Sequence, residues 1–444
     1  MSLDRVQRAL VAAVAAMCPL SIFAAQALLT LAFLVYGVRL VQGRASWPRL
    51  PLDGPILAFG VWTLLSASFS PDPVLSHESA KKLVLFPLLY LAVDTLGEEE
   101  GRQRVADAAL LGGFVLGAGA LIQYYFLGFD TLNSRPTSFM GHYMTASGLS
   151  MATLALAAAR LALGRVRPTL PSRHDATGLA AVLLGLGALS TLQATGLFIV
   201  EGERLFVAAI VAAATFLAVT RSSSYGPATG PTLAAAAFVA SSWALVLSRT
   251  RNAWLGAIVS LAVVAILRAP RALWLLGAGV AAVVLLRPTT VIDRLTVTDA
   301  SSVDRYYMWQ AGIDMIRDKP VFGQGPGMIL KTYPEYRWVE APNALTPHLH
   351  NNALQIAAER GLPCLVFWLW CVAAAAADAY REWRAAGRGP GWSAGAALGV
   401  LAAMMVAGLF EYNFGDSEVF MFVMLMVAFP YALRRERQGT IPAP

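Results

Sequence analysis

Residues 346–378 read TPHLHNNALQIAAERGLPCLVFWLWCVAAAAAD. A Pro-bounded polar knot holds His348 and His350, two of the chain's five histidines, with Asn351 and Asn352 beside them. It opens directly into an apolar run at 352–378, longer than the roughly 20 mostly apolar residues a helix needs to cross hydrocarbon. Comparable runs fall near 8–22, 24–42, 54–70, 82–96, 104–126, 140–163, 177–196, 204–220, 232–248, 252–267, 272–287, 394–411 and 418–433. With 352–378 they make fourteen, or twelve if the first pair or the 177–220 region merges. The reading is all-α: a polytopic integral membrane helical bundle of 12–14 transmembrane helices, with residues 1–444 forming a single integral membrane domain.

Composition supports this class. Of 444 residues, 57% are hydrophobic and only 14% charged, with mean hydropathy +0.58, whereas soluble domains carry roughly a quarter charged residues. The net charge of +7 lies in short clusters between apolar runs, which speaks against a nucleic-acid partner. Cys18, Cys364 and Cys371 lie inside apolar segments without metal-ligand spacing and read as inert. The N-terminus has signal-peptide features, but a second apolar run, ALLTLAFLVYGV, follows at once, so the pair reads as an uncleaved helical hairpin.

Orientation follows from charge. With the N-terminus inside, alternate loops read QGRASWPR, EEEGRQR, GRVRPTLPSRH, TRSSS, RAPR, YREWRAAGR and RRERQ. The opposite loops read SPDPVLSHES, GFDTLNSRPTSF, IVEGE and YNFGDSE. The basic excess falls inside. The large polar segment, 288–350, then lies outside. It carries six Lys/Arg, seven Asp/Glu and seven aromatics, the makeup of a folded loop. Within it, 301–318 reads as an amphipathic helix with Trp309, Ile313 and Ile316 at helical spacing and a capping box from Ser301 to Asp304. GQGPG at 323–327 is a turn; no GK[ST] follows it, so it is not a phosphate loop.

Cations and titratable groups gather at this outer face. Arg249 and Arg251 sit in the tight turn LSRTRNAWLG, where a guanidinium fork suits a phosphate as well as an interface. Arg305 opens the loop helix, whose free N–H groups already favour an anion. His348 and His350 are candidate bases near neutral pH, with Asn351 and Asn352 placed to fix a tautomer or hold a hydroxyl. Glu359 lies nine residues past His350, about 900° around and ~13.5 Å along a helix, so it is not the histidine's local partner. Lys81, Lys82 and Arg135 are further phosphate contacts or interface anchors, and His142 reads as a satisfied polar core residue.

In TRNAWLG, SVDRYYMWQAGIDMIRDKPVFGQGPG and HNNALQIAAERG the chain resembles the O-antigen ligase and polymerase superfamily, sharply so over 245–365. The last stretch matches that family's His-Asn-x-x-Leu…Glu-x-Gly pattern through His350, Asn351, Leu354, Glu359 and Gly361. The resemblance implies a multi-pass enzyme of the bacterial inner membrane, active on the periplasmic side and using neither cofactor nor metal. It implies transfer of a glycan from undecaprenyl pyrophosphate to an acceptor hydroxyl, which for the ligases belongs to lipid A–core oligosaccharide. Arg251 and Arg305 would hold the pyrophosphate, and His350 would be the base of an inverting displacement. The partners expected are undecaprenyl-pyrophosphate-linked O-antigen, lipid A–core oligosaccharide and membrane lipids. A polymerase or protein O-oligosaccharyltransferase of the same superfamily is the near alternative. A lipid-linked sugar transporter or flippase is the distant one; transporters tend to carry repeats and mid-membrane charges, and neither is visible here.

Overall fold

In the computed structural model, residues 2–164, 229–286, 300–387 and 389–439 are described, and among them every regular element is helical. In chain order these are α1 (Leu3–Met17), α2 (Ile22–Val41), α3 (Asp53–Ser68), α4 (Pro73–Ala80), α5 (Pro87–Thr95), α6 (Glu99–Phe126), α7 (Tyr143–Leu163) and α8 (Thr229–Ser248). Then come α9 (Arg251–Arg268), α10 (Leu273–Leu286), α11 (Ala300–Asp318), α12 (Ile329–Tyr336), α13 (Asn352–Ala386), α14 (Trp392–Ala407) and α15 (Ser417–Arg437). Among the described residues α2, α6, α7, α8, α9, α13 and α15 are long and apolar enough to span a bilayer, which makes this a multi-pass membrane protein. The runs expected at 177–196 and 204–220, and the start of the polar segment up to 299, lie outside the described residues. The run expected at 82–96 is not one helix. Residues Lys81–Leu85 form a 3₁₀ turn, and Pro87 starts α5, because proline has no N–H to continue a preceding helix but suits a first helical position.

Small residues set the packing. α7 lies at the centre against α6, α8, α9 and α14. Within its apolar window 83% of residues are buried, against 28% for α13, so α7 faces protein and α13 offers much of its surface to lipid. A β-carbon on Gly112 of α6 would sit 2.1 Å from the Ala16 carbonyl oxygen of α1, and one on Gly117 would sit 2.9 Å from the Ala240 carbonyl carbon of α8. Helices in lipid gain by close packing rather than by burying apolar area, so α6 meets both neighbours through these gaps.

The loops grouped by charge in the sequence also group in space. At one end Arg39 bonds Asp4 at 2.8 Å and Asp94 at 3.2 Å, and Arg434 bonds Glu382 at 2.7 Å and Asp378 at 3.2 Å. At the other end sits the polar segment. Its helix α11 begins at Ala300, which places Ser301 inside the helix and removes the expected capping box. Asp304 instead receives the backbone N–H of Asn343 at 3.3 Å and its side-chain amide at 2.5 Å.

α13 is broken at Gly361, where φ is +81° and ψ 167°. The GQGPG turn fills the break. The Gln324 and Gly325 N–H groups donate to the Ala358 and Glu359 carbonyls at 2.8 and 2.7 Å, and Leu362 N–H donates to the Pro320 carbonyl at 2.8 Å. Glu359 accepts from the Gly327 N–H at 2.9 Å, from Gln355 at 2.8 Å and from Arg360 at 2.6 Å. Each such buried group left unpaired would cost about 1–3 kcal/mol. The glycine-rich turn therefore spends its N–H groups on a helix, and the polar segment is anchored to α13.

Candidate active site

The site starts from an alternation. In the irregular stretch 346–350 the residue between the two histidines turns inward. Leu349 is fully buried in a cluster with Met308, Ala311, Met315, Ile329 and Tyr333. Its N–H donates to Gln355 Oε1 at 2.7 Å, and its carbonyl accepts from Trp309 Nε1 at 3.1 Å. His348 and His350 face away from that plug, with ring centroids 4.2 Å apart. His350 then takes φ +49° to turn the chain into α13, a left-handed conformation rare outside glycine and worth ~1–3 kcal/mol of strain.

Asn351 caps α13, its Oδ1 accepting the Leu354 N–H at 3.0 Å while its amide donates to the Leu409 carbonyl at 2.9 Å. Asn352 bonds Asn413 at 2.7 Å and the Phe414 N–H at 3.2 Å. Both asparagines are thus structural, not tautomer-setting, because each is used up joining α13 to the 408–414 connection.

The residue that fixes the histidine was missed by sequence reasoning. Glu411, buried in the connection after α14, places Oε2 3.0 Å from His350 Nδ1 and Oε1 3.8 Å from His348 Nδ1. Its Oε1 also accepts the Tyr412 N–H at 3.1 Å. Burial alone would raise the Glu411 pKa, but the His350 hydrogen bond and the charges of His350, His348 and Arg305 hold it below the usual carboxylate range. An ionised Glu411 accepts from Nδ1–H, leaving the His350 Nε2 lone pair open. His348 differs: burial, then His350, push its pKa down to about 4, so near neutrality it is uncharged.

Arg305 borders this pair, and Arg251 reaches the helix that carries Arg305. Ser147 Oγ on α7 donates to Thr250 Oγ1 at 3.1 Å, fixing the α8–α9 turn. In that turn Arg249 has φ +51°, and Arg251 opens α9. Arg251 Nη2 donates to Ser302 Oγ on α11 at 2.8 Å. Arg305, one turn further along α11, lies close enough to lower the pKa values of both His348 and Glu411, and its Nε–H is buried without a hydrogen-bond partner among the described residues. Ser302, Arg305, Trp309 and Gly312 repeat at helical spacing, so one face of α11 meets Arg251, the acid–imidazole pair and the histidine loop.

The remaining candidates divide. Arg135 lies over the Tyr143 ring at 4.3 Å and donates to the Leu132 carbonyl at 2.9 Å. Next to it, His142 is not a buried core residue. It holds the N-cap position of α7 without a capping bond, its ring 4.9 Å from that of Tyr143. Desolvation lowers its pKa, against the pull of Glu411, and His350 and Arg135 lower it further, so it belongs to the rim of the site. Lys81 pairs with Glu78 at 3.1 Å on an exposed turn, and Lys82 donates to the Gly415 carbonyl; neither is joined to the arginine pair. Glu359, as helix geometry required, does not orient His350. Among the described residues His348, His350 and Glu411 are also a set whose donor atoms could hold a metal ion, all within 4.8 Å of one another.

A buried carboxylate behind an imidazole, with a guanidinium group beside them at one end of a multi-pass bundle, is an arrangement that can take up a proton next to a bound anion. Residues 236–369 match the family model described as O-Antigen ligase. The match spans both arginines of the α8–α9 turn, Arg305, His348, His350 and Gly361, and leaves out Glu411 and His142. No curated protein matches the chain.

Proposed function

We propose that this protein is an O-antigen ligase of the bacterial inner membrane. It would transfer O-antigen polysaccharide from undecaprenyl pyrophosphate to lipid A–core oligosaccharide on the periplasmic side. The observation that carries this reading is the His350–Glu411 bond of 3.0 Å with Arg305 beside it. In the proposed step His350 Nε2 takes the proton of the acceptor hydroxyl. The hydroxyl oxygen attacks the anomeric carbon with inversion, and the carbon–oxygen bond to the lipid pyrophosphate breaks. Arg251 and Arg305 carry the charge that develops on the leaving oxygen, and Glu411 steadies the imidazolium.

The test is incubation of the purified chain with lipid-linked glycan and rough lipopolysaccharide. Glycan joined to the core lipid supports ligation; glycan that only lengthens would make the chain a polymerase. Strict dependence of turnover on a proton gradient would favour a transporter instead.

Two variants probe the parts. Arg251→Lys keeps the charge and loses the fork. A hydrogen bond to a charged group is worth ~1.5–3 kcal/mol, so kcat/KM for the lipid-linked donor should fall about 10- to 100-fold; wild-type kinetics would show that charge alone suffices. Glu411→Gln should lower kcat by a similar ~10- to 100-fold with KM barely changed, and Glu411→Asp should restore part of it. An unchanged kcat in Glu411→Gln would remove the carboxylate from the reaction.

A further inference from the structure

We infer that His348, His350 and Glu411 form a binding site for a soft divalent cation of the zinc class, and that the bound ion switches transfer off. The second half of this inference rests on the base role proposed for His350; the binding itself does not.

The donor atoms converge. A tetrahedral zinc ion with bonds of ~2.0–2.1 Å keeps neighbouring ligand atoms about 3.3 Å apart. His350 Nδ1 to Glu411 Oε2 is 3.0 Å and His348 Nδ1 to Glu411 Oε1 is 3.8 Å, values on either side of that spacing. His348 Nδ1 is buried and makes no hydrogen bond among the described residues, so it has a coordination position to gain. Leu349, between the two histidines, is fully buried and anchors the backbone that carries both rings. Two imidazole nitrogens and a carboxylate suit zinc and its transition-metal neighbours, whereas magnesium and calcium seek oxygen. Three protein ligands also leave a fourth position open.

Inhibition follows from the ring's proton. A neutral imidazole carries one N–H. In the metal-free site it lies on Nδ1 and donates to Glu411, leaving Nε2 free to accept. Coordination uses the Nδ1 lone pair, so the proton must move to Nε2, the atom that has to receive the acceptor's hydrogen. Glu411 at the same time turns from hydrogen-bond acceptor to ligand. The base is blocked without leaving its place.

The full chain in detergent micelles is titrated calorimetrically with zinc chloride, then with magnesium chloride, with folding followed by helical circular dichroism. One saturable zinc site with no magnesium response is expected. His348→Gln and Glu411→Gln should each weaken it at least 10-fold, while His77→Ala, which alters an exposed histidine away from the cluster, should not. Absent saturable binding, or binding unmoved by both cluster variants, overturns the site; the second result would be an adventitious ion only. In the transfer assay zinc should inhibit and a chelator should restore the rate. Binding at the cluster with undiminished transfer would keep the cation site and sink the base role. No binding, with transfer still lost in His350→Ala, would do the reverse.

Discussion

Replacing His350 by alanine is expected to cut glycan transfer by about 10²–10⁴-fold, the range a positioned general base contributes. Donor binding should change little, because the cationic groups sit on other elements: Arg251 on α9 and Arg305 on α11. Stability should fall by no more than about 1–3 kcal/mol, the cost of taking one donor from the buried Glu411. Alanine keeps the backbone N–H and C=O, while the strain of φ +49° remains. His350→Asn provides a control, since asparagine tolerates a left-handed backbone better than most residues; it should fold at least as well as the alanine variant and be as inactive. Single-turnover transfer measured beside donor binding separates the two effects. Full activity in either variant would move the base role to His348, which burial leaves a weak proton acceptor with a pKa of about 4.

The largest structural effect is expected from Gly361→Ala. The dihedral pair at this position is essentially reserved for glycine and costs other residues ~1–3 kcal/mol. A β-carbon would also lie 1.9 Å from the Val321 carbonyl oxygen, so the GQGPG turn would have to move. Moving it would strip N–H partners from the Ala358 and Glu359 carbonyls and from the Glu359 side chain. The expected result is loss of folded yield, or a fall in melting temperature of at least several degrees. Leu349 packs in the same cluster as Ile329 and Ala358, which flank that turn, so any folded remainder should transfer glycan slowly. A variant that melts like the wild type would mean the break in α13 can close into continuous helix.

Much of this architecture could be read from residue order. Long apolar runs, broken by charged clusters of alternating sign bias, announced a helical membrane bundle, and the polar segment stood out by composition. Arg251, Arg305 and His350 stood out as candidates because each lies in a stretch with its own pattern. Glu411 was not, since it acts across 61 positions and sits in a connection without periodicity. Its one signal was an ionisable residue at the edge of two apolar spans, in LFEYNFGDSE, which by default suggests function. His142 was misplaced because N-cap and first-turn positions look alike until the helix start is known. Asn351 looked chemical because capping and catalysis draw on the same side-chain groups. The run at 82–96 misled because hydropathy counts apolar residues and is blind to the missing proline N–H at position 87.

The stripe of Ser302, Arg305, Trp309 and Gly312 makes α11 a single lever on the whole centre. If that rod slides or rolls, the placing of its guanidinium and the aim of the imidazole travel in lockstep, so neither can be tuned alone. Arg135 and His142 lie in the loop before α7, apart from that rod, so this side of the centre can move without it.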